Sequence, residues 1–408
     1  MKKTSRLPVT LTAPGERALR AGHPWLFDGA IRSVKGEGKA GDLAVVFSVK
    51  KNKCIGVGLY DPGSPIRIRV LHGGGPATVN EDFFRKKLAA AKELRTPLLA
   101  TDTTGYRLVH GENDGLPGLV VDVYAGVCVL KLYSAAWLPW LDTLLPLILE
   151  VAGSETLVLR LARVVENAAR ASTAGAGLTD GAVLSGHLPE EELIFREHGR
   201  QFYANVVRGH KTGFFLDHRD NRKHIGELAE GKEVLDVFSY AGGFSVHALA
   251  GGATGVTSLD VSGPALEQAS RNVQLNFGGD PAVAGRHQNM EADAFDGLAE
   301  LAESEKTYDL VIVDPPSFAK SEKEIPGALA AYRKINRLAV PLVAPGGVLV
   351  AASCSARVTA EDFFKVIAVA LQVSGRKHKL LDKTFHDVDH PVGFPEGAYL
   401  KTVYYRIY

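Results

Sequence analysis

The sequence predicts an α/β chain: a parallel, doubly wound sheet in the C-terminal half, preceded by a small β-rich module and a central α/β segment. Three observations carry this. From about residue 195, strand-like runs alternate with helical segments: EVLDVF then FSVHALAGG, GVTSLD then GPALEQASRNVQLN, YDLVIVD then IPGALAAYRKINRLAVPL, GVLVAASC then AEDFFKVIAVALQVSG. Such alternation builds parallel sheets with helices on their faces. Within it, VIV and VLVAA are unbroken apolar runs, as expected of strands covered on both sides. Residues 1–75 instead hold short alternating runs, LAVVFSVKKNKCIGVGLYD and PIRIRVL, broken by glycine and proline.

Taken in order, the β-rich module covers residues 1–75 and ends at a linker in HGGGPAT, residues 72–78. A central domain, residues 76–190, opens with the helix EDFFRKKLAAAKELR, whose spacing puts Phe83, Phe84, Leu88 and Leu94 on one face. Strands follow in YRLVHGENDGLPGLVVDVYAGVCVLKLY, then a helix through 137–151, the strand TLVLRLAR, and a spacer at 172–187. Residues 191–408 form the doubly wound domain. No run approaches the roughly 18 apolar residues of a membrane span, since Asp142 and two prolines interrupt WLPWLDTLLPLILEVAG. The start lacks a signal peptide's apolar run, and three distant cysteines in 408 residues fit a reducing cytoplasm rather than a disulfide framework. No metal site is expected, because the 13 histidines show no ligand spacing such as H-E-x-x-H.

The net charge of +1 hides an asymmetry. Residues 1–75 hold thirteen Lys/Arg and five Asp/Glu, a net of +8, which leaves −7 for residues 76–408. A basic module suits a nucleic acid partner, or equally a solvated surface with none.

In doubly wound sheets ligands sit beyond the carboxyl ends of the strands. The first strand there ends in Asp236, followed by Phe238, Ser239, Gly242 and Gly243; the second ends at Asp260, 24 residues after Asp236. Glycines admit a ligand close to the backbone at a helix N-terminus, and the second acid can accept both hydroxyls of a ribose. The dehydrogenase pattern G-x-G-x-x-G is absent. The arrangement resembles motifs I and II of class I S-adenosylmethionine methyltransferases, although a structural strand–helix turn would read similarly. Further on, Asp314-Pro315-Pro316-Ser317-Phe318 closes a buried strand with a rigid lip, and forty residues later Ser353-Cys354-Ser355 closes the next. A carboxylate and a thiol would then face one cleft. Cysteine also serves as a small buried residue, the reading taken for Cys54 and Cys128 inside apolar strands. A thiol at the cleft suits covalent activation of cytosine, whose C5 is too weak a nucleophile without addition at C6.

Together, HGRQFYANVVRGHKTGFFLDHRDNR, LDVFSYAGGFSVHALAGGA, VDPPSFAKS, SCS and DHPVGFPEGAYLK resemble the bacterial 23S rRNA (cytosine-C5)-methyltransferase I family over essentially the whole chain. The resemblance implies an N-terminal PUA RNA-binding domain, a central α/β domain and a Rossmann-like methyltransferase domain. It implies Cys354 as nucleophile and Asp314 as the acid beside it. Asp236, Phe238, Ser239, Gly242, Gly243, Asp260, Asp293, Asp314 and Pro315 would form the S-adenosylmethionine pocket. Related cytosine-C5 enzymes carry a second cysteine in the lip; here the lip is PPSF. His210 and His218 stand where glutamines are expected. Basic residues interleaved with aromatics suggest RNA contacts at Lys211, Phe214, Arg219, Arg222 and Lys320, with core packing an equal expectation for the phenylalanines. Ribosomal RNA, 23S rRNA in particular, is the expected partner, with no membrane; monomer and homodimer stay open. Two other readings also stay open: a base-amine or guanine methyltransferase in which Cys354 is structural, and a non-catalytic RNA-binding assembly factor.

Overall fold

The computed structural model describes residues 5–50 and 53–408, so Lys2, Lys3 and Lys51, three of the basic residues counted above, lie outside it. The chain divides into two compact units: residues 1–196, 204–216 and 388–395 in one, and residues 197–203, 217–387 and 396–408 in the other.

The first unit holds two sheets. Six strands of the N-terminal module, numbered along the chain, lie in the order 2-6-5-4-1-3. The first and fourth pair in parallel, and the other neighbours are antiparallel. A second sheet of five runs from Gly105–His110 through Leu119–Tyr124, Val127–Leu132 and Leu157–Leu161 to Val183–Ser185. The two sheets share one core: Leu43, Val57, Leu59 and Leu71 cluster with Phe84, Leu88, Leu130 and Trp137.

Three sequence expectations change here. In the helix Glu81–Leu99 the buried stripe is Phe84, Leu88, Ala91, Arg95 and Leu98, while Leu94 is 43% exposed. Buried Arg95 takes a core position because its guanidinium donates two hydrogen bonds to Asp114, at 2.8 and 2.7 Å, and such pairing is what makes a buried charge tolerable. The spacer at 172–187 contains the edge strand Val183–Ser185, paired antiparallel to Leu157–Val158. The apolar stretch 135–152, long and apolar enough to span a membrane by composition, is half core: Trp137, Leu144 and Ile148 are buried.

The second unit is built on a seven-stranded sheet whose strands, counted along the chain, lie in the order 3-2-1-4-5-7-6. They are Glu233–Val237, Gly255–Asp260, His287–Glu291, Tyr308–Val313, Val343–Ser353, His378–Thr384 and Lys401–Ile407. The first five are parallel neighbours. The seventh enters antiparallel between the fifth and the sixth. Val237, Val313 and Ala351 stand in one row across the first, fourth and fifth strands. The sheet order therefore gathers the residues that follow those strands at one edge, where the strand order reverses. Beneath them Leu235, Val311, Leu349 and Val403 are buried in one cluster with Tyr332, Ile335 and Phe363 of the covering helices.

Candidate active site

Asp236, the fourth residue of the first strand, is fully buried. Its Oδ2 accepts a 2.7 Å hydrogen bond from Ser245 Oγ, which in turn meets Ser258 Oγ at 2.7 Å. Burial, with Asp314 and Asp260 adding to it against the Ser245 hydrogen bonds, pushes its carboxyl up to about 7. The turn that follows is tight: Phe238 and Tyr240 have φ of 64° and 49°, the left-handed region that non-glycine residues enter at a cost. Gly242 at φ 72° precedes the helix Gly243–Ala250. A Cβ on Gly242 would sit 2.8 Å from Ala269 Cβ, so both backbone angle and space demand glycine there.

The second strand ends in Asp260. Its Oδ2 accepts from the Tyr240 amide and its Oδ1 from the Ser262 amide, each at 2.9 Å. These bonds hold the carboxylate across the turn and leave lone pairs for other donors. Asp293 is exposed and caps the helix Ala294–Glu303 through the Phe295 amide.

These side chains fit a ligand rich in hydrogen-bond donors. Asp236 Oδ1 and Ser239 Oγ are buried with no hydrogen-bond partner among the described residues, an arrangement proteins rarely leave unused. S-adenosylmethionine carries an ammonium and ribose hydroxyls of that kind, and Asp236, Ser239 and Asp260 are the residues that would hold them.

On the other side of the row, Asp314 follows the fourth strand and lies 3.3 Å from His218 Nε2. Burial pulls the His218 imidazole down, but Asp314 outweighs it by charge and hydrogen bonding, and Asp217 adds to this, so the net direction is up. Cys354 follows the fifth strand, half-buried, its Sγ 3.9 Å from the Pro315 carbonyl oxygen. Its neighbours are tied down. The Tyr332 hydroxyl meets Ser353 Oγ at 2.8 Å and Ser355 Oγ at 3.0 Å, and Ser317 of the lip meets Ser355 Oγ at 2.9 Å. The Lys401 ammonium donates to the carbonyls of Ser355, Val358 and Tyr399 at 2.5, 2.6 and 3.0 Å. By contrast, burial raises the Cys128 thiol to about 11, which keeps it protonated and inert at neutral pH.

Comparison with known proteins accords with this geometry. Residues 174–397 match the S-adenosylmethionine-dependent methyltransferase family. This chain belongs to that family. Residues 9–72 match the PUA-like domain family. A ribosomal RNA large subunit methyltransferase of Deinococcus radiodurans is 44% identical over 407 residues, covering 98% of each chain. A ribosomal RNA large subunit methyltransferase I of Shewanella amazonensis is 36% identical, covering 97% of this chain and 98% of that one. The solved structure of SMU.776 complexed with SAH shares the fold, with a TM-score of 0.82 at 23% identity, over 99% of this chain and 100% of that one. The cofactor of this methyltransferase is S-adenosylmethionine.

Several positions expected to meet RNA have other work in this methyltransferase. Phe214 is buried, packing edge-on against Phe195 with ring centroids 5.1 Å apart. Arg219 is fully buried, 3.6 Å from Asp387. Arg222 is buried and donates two hydrogen bonds to Glu197, at 2.7 and 2.6 Å. Burial raises the Glu197 carboxyl, but the Arg222 charge overrides this and holds it far below its usual range. A solvent-borne RNA reaches none of the three side chains, so the expected contacts at Phe214, Arg219 and Arg222 are corrected to structural roles. Lys211 and Lys320 are exposed. Tyr332 and Lys401 were missed: Tyr332 read as part of a helix, and Lys401 only as the end of the run GAYLK. No local signal in the sequence joins them to Cys354.

Proposed function

We propose that this methyltransferase acts on carbon 5 of a cytosine in 23S ribosomal RNA, working in the cytoplasm with Cys354 as nucleophile. The observation that carries this reading is the Cys354 thiol at the edge of the lip, 3.9 Å from the Pro315 carbonyl and one residue from the pinned Ser353 and Ser355. A half-buried edge position and clamped neighbours suit a nucleophile better than a packing residue. Cys354 Sγ forms a bond to cytosine C6, which makes C5 enamine-like. S-adenosylmethionine, when bound, supplies the methyl group that C5 accepts. Asp314 faces N3 and the exocyclic amine and stabilises the adduct. The C5 proton then leaves to a base, and the C6–sulfur bond breaks to return the Cys354 thiolate.

The relatives named as large subunit ribosomal RNA methyltransferases support the substrate class. The +8 module at residues 1–75 would supply RNA affinity, residues 76–190 would form the central domain, and residues 191–408 the catalytic one. Exposed Lys211 and Lys320 would be the RNA contacts from the basic segments. The test is a covalent complex with RNA containing 5-fluorocytosine, whose fluorine cannot leave as the proton does. A denaturation-resistant, Cys354-dependent complex is expected. Turnover on natural RNA with no trapped complex would favour methylation of a base amine instead.

A further inference from the structure

Lys401 is the first residue of the strand Lys401–Ile407, in antiparallel register opposite Ser353. It is 1% exposed. A buried ammonium is costly unless its protons are all accepted. Here they are: its hydrogen bonds go to the carbonyls of Ser355, Val358 and Tyr399, and an ammonium has three donors to give. Two of those carbonyls, Ser355 and Val358, belong to the loop that leaves Cys354. No carboxylate is among these partners, so the charge of Lys401 is not cancelled at its contacts.

We propose that Lys401 is a positioning residue for Cys354: it fixes the loop that carries the thiol and holds a positive charge beside it, which favours the thiolate. This rests on the reading of Cys354 as nucleophile. Other groups surround the same thiol. Tyr332 reaches in from the helix Ile325–Ala339, and Asp314 from the loop after the fourth strand; both interact electrostatically within this cluster, as does Lys401. Asp314 is met by His218 at 3.3 Å, neutral Tyr332 ties down the serines on either side of Cys354, and Lys401 brings its positive charge to the loop that leaves the thiol. Burial brings the Lys401 ammonium down to about 8, against an attraction to Cys354 that raises it, so it remains charged at neutral pH. Cys354 ionises by releasing its proton to water, and Lys401 keeps its three protons at neutral pH.

The experiment uses the full-length protein with Cys54→Ala and Cys128→Ala, so that alkylation by iodoacetamide reports Cys354 alone. Lys401→Met keeps the length of the side chain and removes the charge. At pH 7 its Cys354 should alkylate about tenfold more slowly, the size of a one-unit titration shift. Raising the pH should restore the rate, and calorimetric affinity for S-adenosylmethionine should hold within twofold. A folded Lys401→Met protein with an unchanged alkylation profile and unchanged kcat overturns the proposal. Should that variant not fold, the parent protein decides: Cys354 is expected to reach half-maximal alkylation at lower pH than a short unstructured peptide with one cysteine. Equal or higher pH overturns the proposal. Full methylation by Cys354→Ala would instead sink the nucleophile reading on which the proposal stands, and is scored separately.

Discussion

At the scale of single residues, the site joins groups whose environments push them apart chemically. Cys354 is reachable and lies against a carbonyl; Cys128 is sealed in a core. Cys354→Ala is expected to abolish methylation while thermal stability and cofactor affinity stay near wild type. Cys128→Ala should lose about 1–2 kcal/mol of stability through its small cavity and keep its activity. Radiolabelled methyl transfer and thermal unfolding on the same preparations check both. With the ribose placed at Asp260 as proposed, Asp260→Ala would leave its hydroxyls without acceptors, and it frees the Tyr240 and Ser262 amides. Calorimetry should find S-adenosylmethionine bound more weakly by about 1–3 kcal/mol; unchanged affinity would place the ribose elsewhere. Asp236 titrates near 7 when folded, above its ordinary 3.8. The folded protein thus holds a proton that the unfolded chain has lost, so this group's stabilising contribution is full below about pH 4 and fades as pH rises towards 7. Asp236→Asn should remove that fade. Its thermal midpoint relative to wild type should climb between pH 5 and 8, while cofactor affinity drops; a constant difference across that range would contradict the burial argument.

At the scale of elements, the strands of the second unit deliver function through their ends. The row Val237, Val313, Ala351 sets how far Asp314 and Cys354 project beyond the sheet. The seventh strand, antiparallel beside the fifth, brings Lys401 opposite Ser353. In the N-terminal module, the proposed RNA contact turns on charge rather than register. Arg17, Arg32, Lys35 and Lys39 are exposed. Replacing all four with glutamate should weaken RNA binding and flatten its salt dependence, by about 0.7–0.9 in log–log slope for each phosphate that is no longer neutralised. Filter binding between 50 and 300 mM salt reads this, and a full slope in the variant would move the RNA surface elsewhere, with Lys211 and Lys320 the next residues to test.

At the scale of the whole molecule, the N-terminal module is not a detachable bead. The Trp25 indole donates to Glu112 at 2.7 Å, the Trp140 indole to the Gly41 carbonyl at 2.9 Å, and the Ser134 hydroxyl to Asp61 at 2.6 Å. Leu43, Val57, Leu59 and Leu71 lie in the same core as Trp137 and Leu130. Deleting residues 1–75 should therefore expose apolar surface and destabilise the rest of the first unit, with dye binding and aggregation as the readout. A soluble, cooperatively unfolding truncation would show that the shared core is dispensable. Charge reversal, which leaves that core intact, is the cleaner probe of RNA binding.

Local pattern alone determined the α/β class, the order of strands and helices from residue 195, and the acids and thiol at strand ends. These follow from periodicity and from the rule that ligands gather beyond the carboxyl ends of parallel strands, which act over a few residues at a time. Asp236, Asp260, Asp314 and Cys354 were legible for that reason. Only the tertiary structure decided what surrounds them. Phe214, Arg219 and Arg222 read as an RNA-facing strip because a short run of basic and aromatic residues looks alike in solvent and in a core; burial against Phe195, Asp387 and Glu197 separates the two. Leu94 and Arg95 exchanged places because Asp114, nineteen residues on, supplies the partner that makes a buried guanidinium tolerable. Lys401 reached the loop that leaves Cys354 because the strand it opens, far along the chain, inserts beside the fifth. Such partners lie far apart in sequence, and a charge's fate depends on the partner it meets, which no local pattern encodes.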